Sequence, residues 1–330
     1  MRTQPHTYLI TGAAGFIGSH LCRTLLKDTY AAEVVGIDNI NGYYNRNIKL
    51  RRIHELSKNR RFHFYKTSIL EKSAIQSVAK KHKPNILIHT AAEVGVRNGE
   101  LHPVEYFSTN VIGTLNILEA AVPYAQHAIV FSSSSVYGST KHLPFRESEP
   151  LLPSTPLSTY GASKLAMEMA VQNFYKQTQT PVTIVRPFSI YGPDGRPDML
   201  PMKLLVAAKT SMPLDVYAPT KLFRDWTYID DFVSMILTIL QKPNHIQVVN
   251  IGNGHPMRLD SVITASQKIL QRHGYSITYT SKPANPTEMI KTWADTTQLK
   301  RLCHFSAQTK YEEGFNKTAD FFFSHINLYI

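Results

Sequence analysis

Tyr160 and Lys164 lie four positions apart, a spacing that places both side chains on one face of a helix. Tyrosine is a poor base at neutral pH, and lowering its pKa from about 10 to about 7 requires roughly 4 kcal/mol of preference for the phenolate. A neighbouring ammonium group supplies part of that preference. The spacing is common in helices, so the interpretation as an acid–base pair depends on other residues.

Hydroxyl side chains stand just before this pair in the chain. Ser132, Ser133, Ser134 and Ser135 follow an apolar run that is typical of a strand. A hydroxyl at the carboxyl end of a strand can hydrogen-bond the same substrate oxygen as the tyrosine and pass its proton on. The serines and the Tyr/Lys pair together predict proton transfer at a substrate hydroxyl.

Three glycines, Gly12, Gly15 and Gly18, occupy the predicted junction between the first strand and the first helix, around Phe16 and Ile17. A backbone without Cβ atoms turns tightly and lets a pyrophosphate approach the free N–H groups of the helix. The next strand ends at Asp38, where a carboxylate can accept hydrogen bonds from an adenosine ribose and would repel a 2′-phosphate. The pattern predicts NAD rather than NADP. The alternative is a turn that only packs helix on strand.

The elements that position these residues alternate along the first half of the chain. Strand-like apolar runs lie at 8–11, 33–38, 62–65, 85–89, 128–131 and 182–186, and helical patterns at 16–26, 74–81, 104–121 and 160–177. This order predicts a doubly wound α/β fold with a parallel Rossmann-type sheet. After Arg186 the rhythm breaks into Pro- and Gly-rich stretches, which predict a smaller second lobe. A helix at 229–240 and a strand at 247–251 are expected to return to the first sheet.

The formal net charge of the 330-residue chain is +12. Such a charge fits nucleic acid, an acidic membrane surface or anionic small substrates, and equally a basic solvated surface. We interpret the densest cationic run as a solvated face; it contains Arg51, Arg52, Lys58, Arg60, Arg61 and Lys66. No motif for nucleic-acid binding accompanies it. We therefore predict neither a nucleic-acid partner nor a membrane partner.

The two cysteines, Cys22 and Cys303, are far apart and form no CxxC pair or Cys/His ligand set. This usage indicates neither a disulfide framework nor a metal site, and a reducing cytoplasm fits it best. The N-terminus enters an apolar strand almost at once, so we expect no signal peptide. No apolar run approaches membrane-spanning length. His89, at the end of the fourth strand, is expected to be a hydrogen-bonded core residue.

The glycine turn, the serine and the Tyr/Lys pair occur in the order found in the extended short-chain dehydrogenase/reductase family, which the chain resembles nearly end to end. Longer stretches are similar to the UDP-glucuronate 4-epimerase branch of that family; they are GIDNINGYYN at 36–45, AAEVGVR at 91–97, SSSSVYG at 132–138, RPFSIYGPDGRPDM at 186–199 and FRDWTYIDD at 223–231. The resemblance implies an NAD-dependent 4-epimerase of a UDP-hexuronic acid, an isomerase of the cytoplasm that serves polysaccharide biosynthesis. It also implies a homodimer.

By position, the resemblance implies that Ser133, Tyr160 and Lys164 are catalytic, with Lys164 tuning Tyr160 and holding the nicotinamide ribose. The implied NAD-binding residues are Gly12, Gly15, Phe16, Ile17, Gly18, Asp38, Asn39, Ser68, Ile69, Ala91, Ala92, Asn110, Tyr160, Lys164 and Pro187. The implied substrate-binding residues are Arg97, Ser133, Ser134, Ser135, Tyr160, Ser189, Arg196 and Arg224. Residues 1–188 with about 226–254 would form the NAD-binding domain, and residues 189–225 with 255–330 the nucleotide-sugar lobe.

Other activities of the same fold stay open at this point. A UDP-glucose or UDP-N-acetylhexosamine 4-epimerase is the main alternative. A UDP-glucuronate decarboxylase is less favoured, because Ser134 and Ser135 stand where such enzymes usually carry an acid. A non-catalytic NAD-binding protein is disfavoured by the intact Ser/Tyr/Lys set.

Several positions depart from the family pattern. Ser68 stands where an Asp usually bonds the adenine amino group, and Glu93, Asn98 and Asp194 replace the more usual Gln, Tyr and Trp. Asp194 is the most consequential departure, since a carboxylate just before Arg196 is expected to repel a uronate or to pair with that arginine.

Overall fold

The computed structural model describes residues 6–28, 31–152, 154–242, 246–284, 287–304 and 307–330. The strands are β1 His6–Thr11, β2 Ala31–Asp38, β3 Phe62–Lys66, β4 Ile86–His89, β5 His127–Phe131, β6 Val182–Pro187, β7 Ser189–Tyr191, β8 Leu214–Tyr217, β9 Phe223–Arg224, β10 Trp226–Tyr228, β11 Ile246–Ile251, β12 Met257–Arg258 and β13 Tyr279–Lys282. The α-helices are α1 Phe16–Lys27, α2 Arg46–Leu56, α3 Lys72–His82, α4 Val96–Leu101, α5 Pro103–Phe107, α6 Thr114–Ala121, α7 Thr159–Thr178, α8 Leu200–Thr210, α9 Ile229–Leu240, α10 Leu259–Arg272, α11 Thr297–Cys303 and α12 Tyr311–Ser324.

The central sheet has seven strands in the order β11-β6-β5-β4-β1-β2-β3, and every neighbouring pair is parallel. The fold class predicted from the sequence is confirmed. The order reverses between β1 and β4, so the connections after these strands leave in opposite directions and open a crevice at their carboxyl ends. The glycine turn follows β1 and therefore lies at this crevice.

The central strands are apolar because helices cover both faces of the sheet. Leu9 and Ile10 of β1 point to opposite faces: Leu9 belongs to a buried cluster with Ile117 and Met167, and Ile10 to another with Phe232. Every residue of β4 and β5 is buried. Alternation along strands covered on both sides explains why these segments appear in the sequence as continuous apolar runs.

The later segments expected to return to the sheet do so. β11 pairs with β6, and α9 packs against α1. The remaining strands after β6 form three two-stranded sheets, β10-β7, β12-β9 and β13-β8. The division of the chain into two functional lobes stays a prediction.

The helix predicted at 104–121 is interrupted. α5 and α6 are separated by a π-helical segment, Ser108–Gly113. The buried Asn110 in this segment hydrogen-bonds the loop after β4 and α7, and a Cβ on Gly113 would lie 2.6 Å from the Ile69 Cδ1 atom. These contacts favour the wider turn, a feature often found next to functional sites.

The interpretation of the basic run as a solvated face is wrong for three of its members. Arg51 is 16% exposed and pairs with the buried Asp194 at 2.6 Å. Arg52 is fully buried. Arg61 donates hydrogen bonds to the main-chain carbonyls of Leu26, Asp28 and Ala31, where α1 gives way to β2. Guanidinium groups can be buried in this way because their fixed fork of donors matches several oxygens at once.

Two further expectations concern a buried histidine and membrane-spanning helices. His89 is buried, and its ring nitrogens bond the Thr11 and Thr114 hydroxyls at 2.7 and 2.9 Å, as expected for a core histidine. Within the described ranges, no helix has both the length and the apolar character needed to cross a membrane.

Candidate active site

The glycine turn begins at Gly12, a position that only glycine can occupy without strain. Gly12 has φ +69°, and a Cβ there would lie 2.6 Å from the Thr90 hydroxyl oxygen. A Cβ on Gly18 would lie 2.1 Å from the Gly12 carbonyl oxygen. The helix α1 that follows has no side-chain cap on its first N–H groups, and the turn lines the main cleft. This arrangement fits a pyrophosphate, since free N–H groups at a helix N-terminus favour anions.

The carboxylate expected to bind a ribose lies in the same cleft. The Asp38 oxygens accept hydrogen bonds from the backbone N–H groups of Ala14, at 3.1 Å, and Ile40, at 2.8 Å. These bonds hold the carboxylate at the carboxyl end of β2, with lone pairs left for hydroxyl donors. The cleft is also lined by the predicted cofactor residues Asn39, Ser68, Ile69, Ala91, Ala92 and Pro187.

Asn110 is the predicted cofactor residue that lies outside this lining among the described residues. Its side chain is buried, exchanges hydrogen bonds of 2.9 and 3.1 Å with the backbone of Glu93, and donates to the Ser163 hydroxyl at 2.9 Å. Asn110 therefore joins the loop after β4 to α7.

The predicted catalytic residues Ser133, Tyr160 and Lys164 all line the cleft. Ser133 follows β5, and α7 carries the other two, beginning with the Ser158 hydroxyl as a cap on the Gly161 N–H. The Lys164 ammonium donates to the Phe131 carbonyl at 2.7 Å. Burial lowers the pKa of Lys164 to about 7, and the charge of Glu168 acts in the opposite direction.

The phenol of Tyr160 is influenced by other groups than the sequence argument expected. Burial raises the pKa of Tyr160, while a hydrogen bond with Ser133 and the charge of Arg196 act to lower it. The Lys164 ammonium donates a hydrogen bond to the main chain at Phe131. The groups that favour the phenolate here are Ser133, which follows β5, and Arg196, which lies in the loop before α8.

A buried ion pair supports this site from behind. Glu168, one helical turn after Lys164, accepts from Arg186 at 2.6 and 2.9 Å and from the Ser132 hydroxyl at 2.5 Å. Arg186 also donates to the Tyr137 hydroxyl at 2.9 Å, and Tyr137 donates to Asn250 at 2.7 Å. The network links α7 to β6, to β11 and to Ser132, which follows β5 and precedes Ser133.

Of the predicted substrate residues, Arg196 lies in the cleft with Ser133 and Tyr160. Its guanidinium pairs with Asp198 at 2.5 and 3.0 Å and lies 5.5 Å from the centre of the Tyr43 ring. Among the described residues, the lining of this cleft does not include the other predicted substrate residues, which are Arg97, Ser134, Ser135, Ser189 and Arg224.

The two other arginines are occupied elsewhere. The Arg97 guanidinium lies 3.9 Å from the centre of the Tyr217 ring. Arg224 donates to the Met289 carbonyl at 2.9 Å and pairs with Glu288 at 3.3 Å. Ser134 and Ser135 begin a short 3₁₀ turn, Ser134–Tyr137, immediately after Ser133.

The expectation for Asp194 is wrong. Its carboxylate is 1% exposed and pairs with Arg23, Arg51 and Arg52 at 2.7, 2.6 and 3.0 Å. These three guanidinium charges hold the pKa of Asp194 down at about 2, against the effect of burial. Arg196 pairs with Asp198 instead. Asp194 therefore neither faces the cleft nor neutralises Arg196.

Several cleft residues were not assigned from the sequence. Asn41, Tyr43, Tyr44, Lys49 and Glu93 line the cleft around the predicted ribose site. The Lys49 ammonium donates to the Asn41 side chain at 2.5 Å, and that amide donates to Glu93 at 3.1 Å. The NGYYN stretch at 41–45 could have indicated Asn41, Tyr43 and Tyr44, because it belongs to a segment that resembles the epimerase branch. Lys49 could not have been identified in this way, because a lysine within an ordinary helix is normally exposed to solvent.

The parallel sheet with a glycine turn at its crevice, and with Ser, Tyr and Lys in one cleft beside it, defines a dinucleotide-binding protein of the short-chain dehydrogenase/reductase class. The model of the NAD dependent epimerase/dehydratase family matches residues 8–252, and the chain belongs to that family. The family predicted from the motifs is thus confirmed.

Similar proteins within this family include sugar-nucleotide epimerases. A UDP-glucuronate 4-epimerase of Thermodesulfobacterium geofontis is 31% identical over 97% of each chain. The crystal structure of UDP-glucuronic acid 4-epimerase from Bacillus cereus, in complex with UDP-glucuronic acid and NAD, is 32% identical, covers 97% of this chain and 99% of its own, and has a TM-score of 0.88. UDP-glucose 4-epimerase from Thermotoga maritima, with UDP-glucose, is 26% identical over 97% and 99%, with a TM-score of 0.87.

Proposed function

We propose that this protein is an NAD-dependent 4-epimerase that interconverts UDP-glucuronate and UDP-galacturonate. The observation that carries the proposal is the shared cleft: Ser133, Tyr160 and Lys164 lie in the same crevice as the glycine turn and Asp38. The similarity to the Bacillus cereus enzyme, over nearly the whole of both chains, supports the choice of substrate.

In this proposal the cofactor lies along the cleft from Asp38 to Lys164. The first N–H groups of α1 bind its pyrophosphate, and Asp38 with Asn39 binds the adenosine ribose. Ser68 and Ile69 border the adenine, while Ala91, Ala92 and Pro187 line the cleft toward the nicotinamide. Asn110 acts from outside the lining by holding the loop after β4.

When bound, NAD supplies a reversible acceptor for hydride from C4 of the sugar. Tyr160 takes the proton of the C4 hydroxyl, and Ser133 hydrogen-bonds the same oxygen. The 4-keto sugar then turns over and presents its opposite face, and Tyr160 gives the proton back to the C4 oxygen. The net reaction is an isomerisation, since the cofactor ends as it began.

The substrate is anchored in this proposal by its UDP end while the sugar turns. Arg196 is placed to bind a phosphate oxygen, for which a planar guanidinium is well suited. Arg97 and Arg224 are proposed to contact UDP after leaving Tyr217 and Glu288. Ser134, Ser135 and Ser189 are proposed to hold the carboxylate, so that the β-keto acid intermediate does not align its C5–C6 bond for decarboxylation.

The main alternative is an epimerase of a neutral UDP-sugar, UDP-glucose or a UDP-N-acetylhexosamine. The similarity to the Thermotoga maritima UDP-glucose 4-epimerase, at nearly the same TM-score, favours keeping it. The two candidates are separated by which UDP-sugar the protein converts.

The test is incubation with UDP-glucuronate, with and without added NAD, followed by chromatography and mass determination. We expect UDP-galacturonate at unchanged mass. Tyr160→Phe should abolish the conversion, and Tyr279→Phe, a matched change on a side chain that is 39% exposed, should not. Loss of carbon dioxide would assign a decarboxylase instead. No reaction with UDP-glucuronate but conversion of UDP-glucose would establish the alternative.

We also propose a homodimer formed through the helices after β4 and β5. Large apolar side chains are exposed there on helices that pack on one another; they are Leu101, Val104, Phe107, Ile112 and Met169. Exposed apolar clusters of this kind are typical of interfaces. Light scattering should give twice the chain mass, and Val104→Asp should give a monomer.

The proposed place of action is the cytoplasm, where activated sugars are made, and the proposed role is the supply of a uronate for polysaccharide biosynthesis. Both cysteines are free and buried, which fits a reducing compartment.

A further inference from the structure

The loop at residues 192–199, between β7 and α8, is held by an unusual set of charges. One buried carboxylate, that of Asp194, receives three guanidinium groups from two separate helices: Arg23 from α1, and Arg51 and Arg52 from α2. We call these four residues the arginine clasp. A buried carboxylate is costly unless it is paired, so the clasp requires all of these elements to be in place together.

The clasp also holds the backbone of the loop. Arg52 donates to the Asp194 carbonyl at 2.5 Å, and the His20 ring bonds the Pro193 carbonyl at 3.0 Å. Asp194 has φ +60°, a left-handed conformation that is unfavourable for a residue with a Cβ. The surrounding contacts stabilise this conformation.

The held loop carries Arg196 into the cleft. Only Gly195 separates the clasped residue from Arg196, whose guanidinium lies by Tyr43 and acts on Tyr160. Gly195 is conformationally permissive, so the place of the Arg196 backbone depends on how Asp194 is held. If Asp194 were released, the left-handed turn would be free to relax and Arg196 would lose its direction.

The same clasp reaches the glycine turn. Arg52 donates to the carbonyl of Ala14 at 3.0 Å and to the Tyr44 hydroxyl at 2.8 Å, and Tyr44 lines the cleft. One fully buried side chain therefore bonds both the turn that would bind a pyrophosphate and the loop that carries Arg196.

We propose that the arginine clasp is a positioning device for Arg196: it fixes the 192–199 loop against α1 and α2, so that the Arg196 guanidinium is aimed at the diphosphate of the sugar nucleotide. This rests on the proposed function for the identity of that ligand. Asp194 is a positioning residue that touches neither substrate nor cofactor, and its effect on ligand binding passes through Arg196.

A double-mutant cycle tests the proposal with UDP as the ligand and the purified holoenzyme, using calorimetry. We expect Asp194→Asn and Arg196→Gln each to weaken UDP binding about tenfold or more, the effect of one misplaced or lost charge-assisted hydrogen bond. Together they should weaken it no more than Arg196→Gln alone, because the clasp acts only through that residue. A purely stabilising clasp would lower the unfolding midpoint of the Asp194 variant without this coupling.

Two further variants keep the test decisive if Asp194→Asn does not fold. Arg23→Gln removes one of the three partners of Asp194 and takes the place of Asp194→Asn in the same cycle. The Arg23 side chain is 27% exposed. Arg146→Gln is the matched control, since Arg146 is 66% exposed and its partner Asp295 lies outside the loop. The control should bind UDP as the wild type does.

The outcomes separate this inference from the proposed function. The clasp would be overturned as a positioning device if the losses of UDP affinity in the two single variants multiplied to about a hundredfold in the double variant. Unchanged UDP affinity in Asp194→Asn would overturn it as well. A wild type that binds UDP but does not convert UDP-glucuronate would overturn the proposed substrate and leave the cycle measurable. A wild type that does not bind UDP would overturn both.

Discussion

Replacing Glu168 by Gln removes the charge of one partner from the buried Glu168–Arg186 pair. The two side chains are 1% and 5% exposed, and the Glu168 carboxylate accepts three hydrogen bonds, two of them from Arg186. Breaking a buried pair while the second charge stays costs about 3–5 kcal/mol. With a urea dependence of roughly 3 kcal/mol/M, the unfolding midpoint should fall by about 1 to 1.7 M.

The assay is urea unfolding at pH 7, followed by circular dichroism. Glu313→Gln is the matched control, because Glu313 is 57% exposed and pairs with Lys317 one helical turn away. Solvent screens such exposed pairs, so they contribute little to stability and the control midpoint should hardly move. Equal midpoints for the two variants would refute the reasoning, since the difference in burial is its entire basis. Glu168→Leu combined with Arg186→Met should recover much of the loss, because the Arg186 charge is then not left buried without its partner.

Three further predictions concern the turn, the core and the serines. Alanine favours a helix, but Gly18→Ala places a methyl group 2.1 Å from the Gly12 carbonyl oxygen, so the NAD content of the purified protein should fall about tenfold or more. The control Gly42→Ala meets only the tip of a side chain at 3.4 Å and should retain its NAD. Equal NAD contents in the two variants would contradict the argument. Burial lowers the pKa of His89 to about 3, so below pH 6.5 the unfolded chain takes up a proton that the folded one does not, and stability should fall by about 1.4 kcal/mol per pH unit. Urea midpoints of wild type and His89→Gln should therefore converge from pH 7 to pH 4.5, and a constant difference would refute this. Ser135→Ala should increase decarboxylated product from UDP-glucuronate, whereas unchanged turnover with no such increase would remove Ser135 from that role.

Much of the site could be predicted because its indications are local in sequence. The glycine turn, the Asp38 strand end and the Tyr160/Lys164 pair each lie within one strand–turn–helix unit, where spacing alone decides which atoms meet. Parallel strands then bring their carboxyl ends to one edge of the sheet. For this reason the cleft contains most of the predicted cofactor residues and all of the predicted catalytic residues.

The failures involve contacts between distant segments. Asp194 was expected to act on Arg196, its near neighbour in sequence. Its partners are instead Arg23, Arg51 and Arg52, which precede it by more than 140 positions. The burial of Arg52 and the place of Lys49 in the cleft likewise depend on which loops lie over α2. A charged residue in a helix is usually solvated, and no local pattern marks the exceptions.

The sequence by itself predicted the alternation of strands and helices in the first half of the chain, the fold class, the nucleotide-binding turn and the Ser/Tyr/Lys set that the cleft brings together. These depend on periodicity and on short spacings, which the covalent chain imposes directly. Only the tertiary structure decided which charges are buried and what each of them faces, from the Glu168–Arg186 pair to the arginine clasp. The physical reason is that the cost of burying a charge depends on partners brought close by the whole fold, so a residue type carries that information only once its neighbours in space are known.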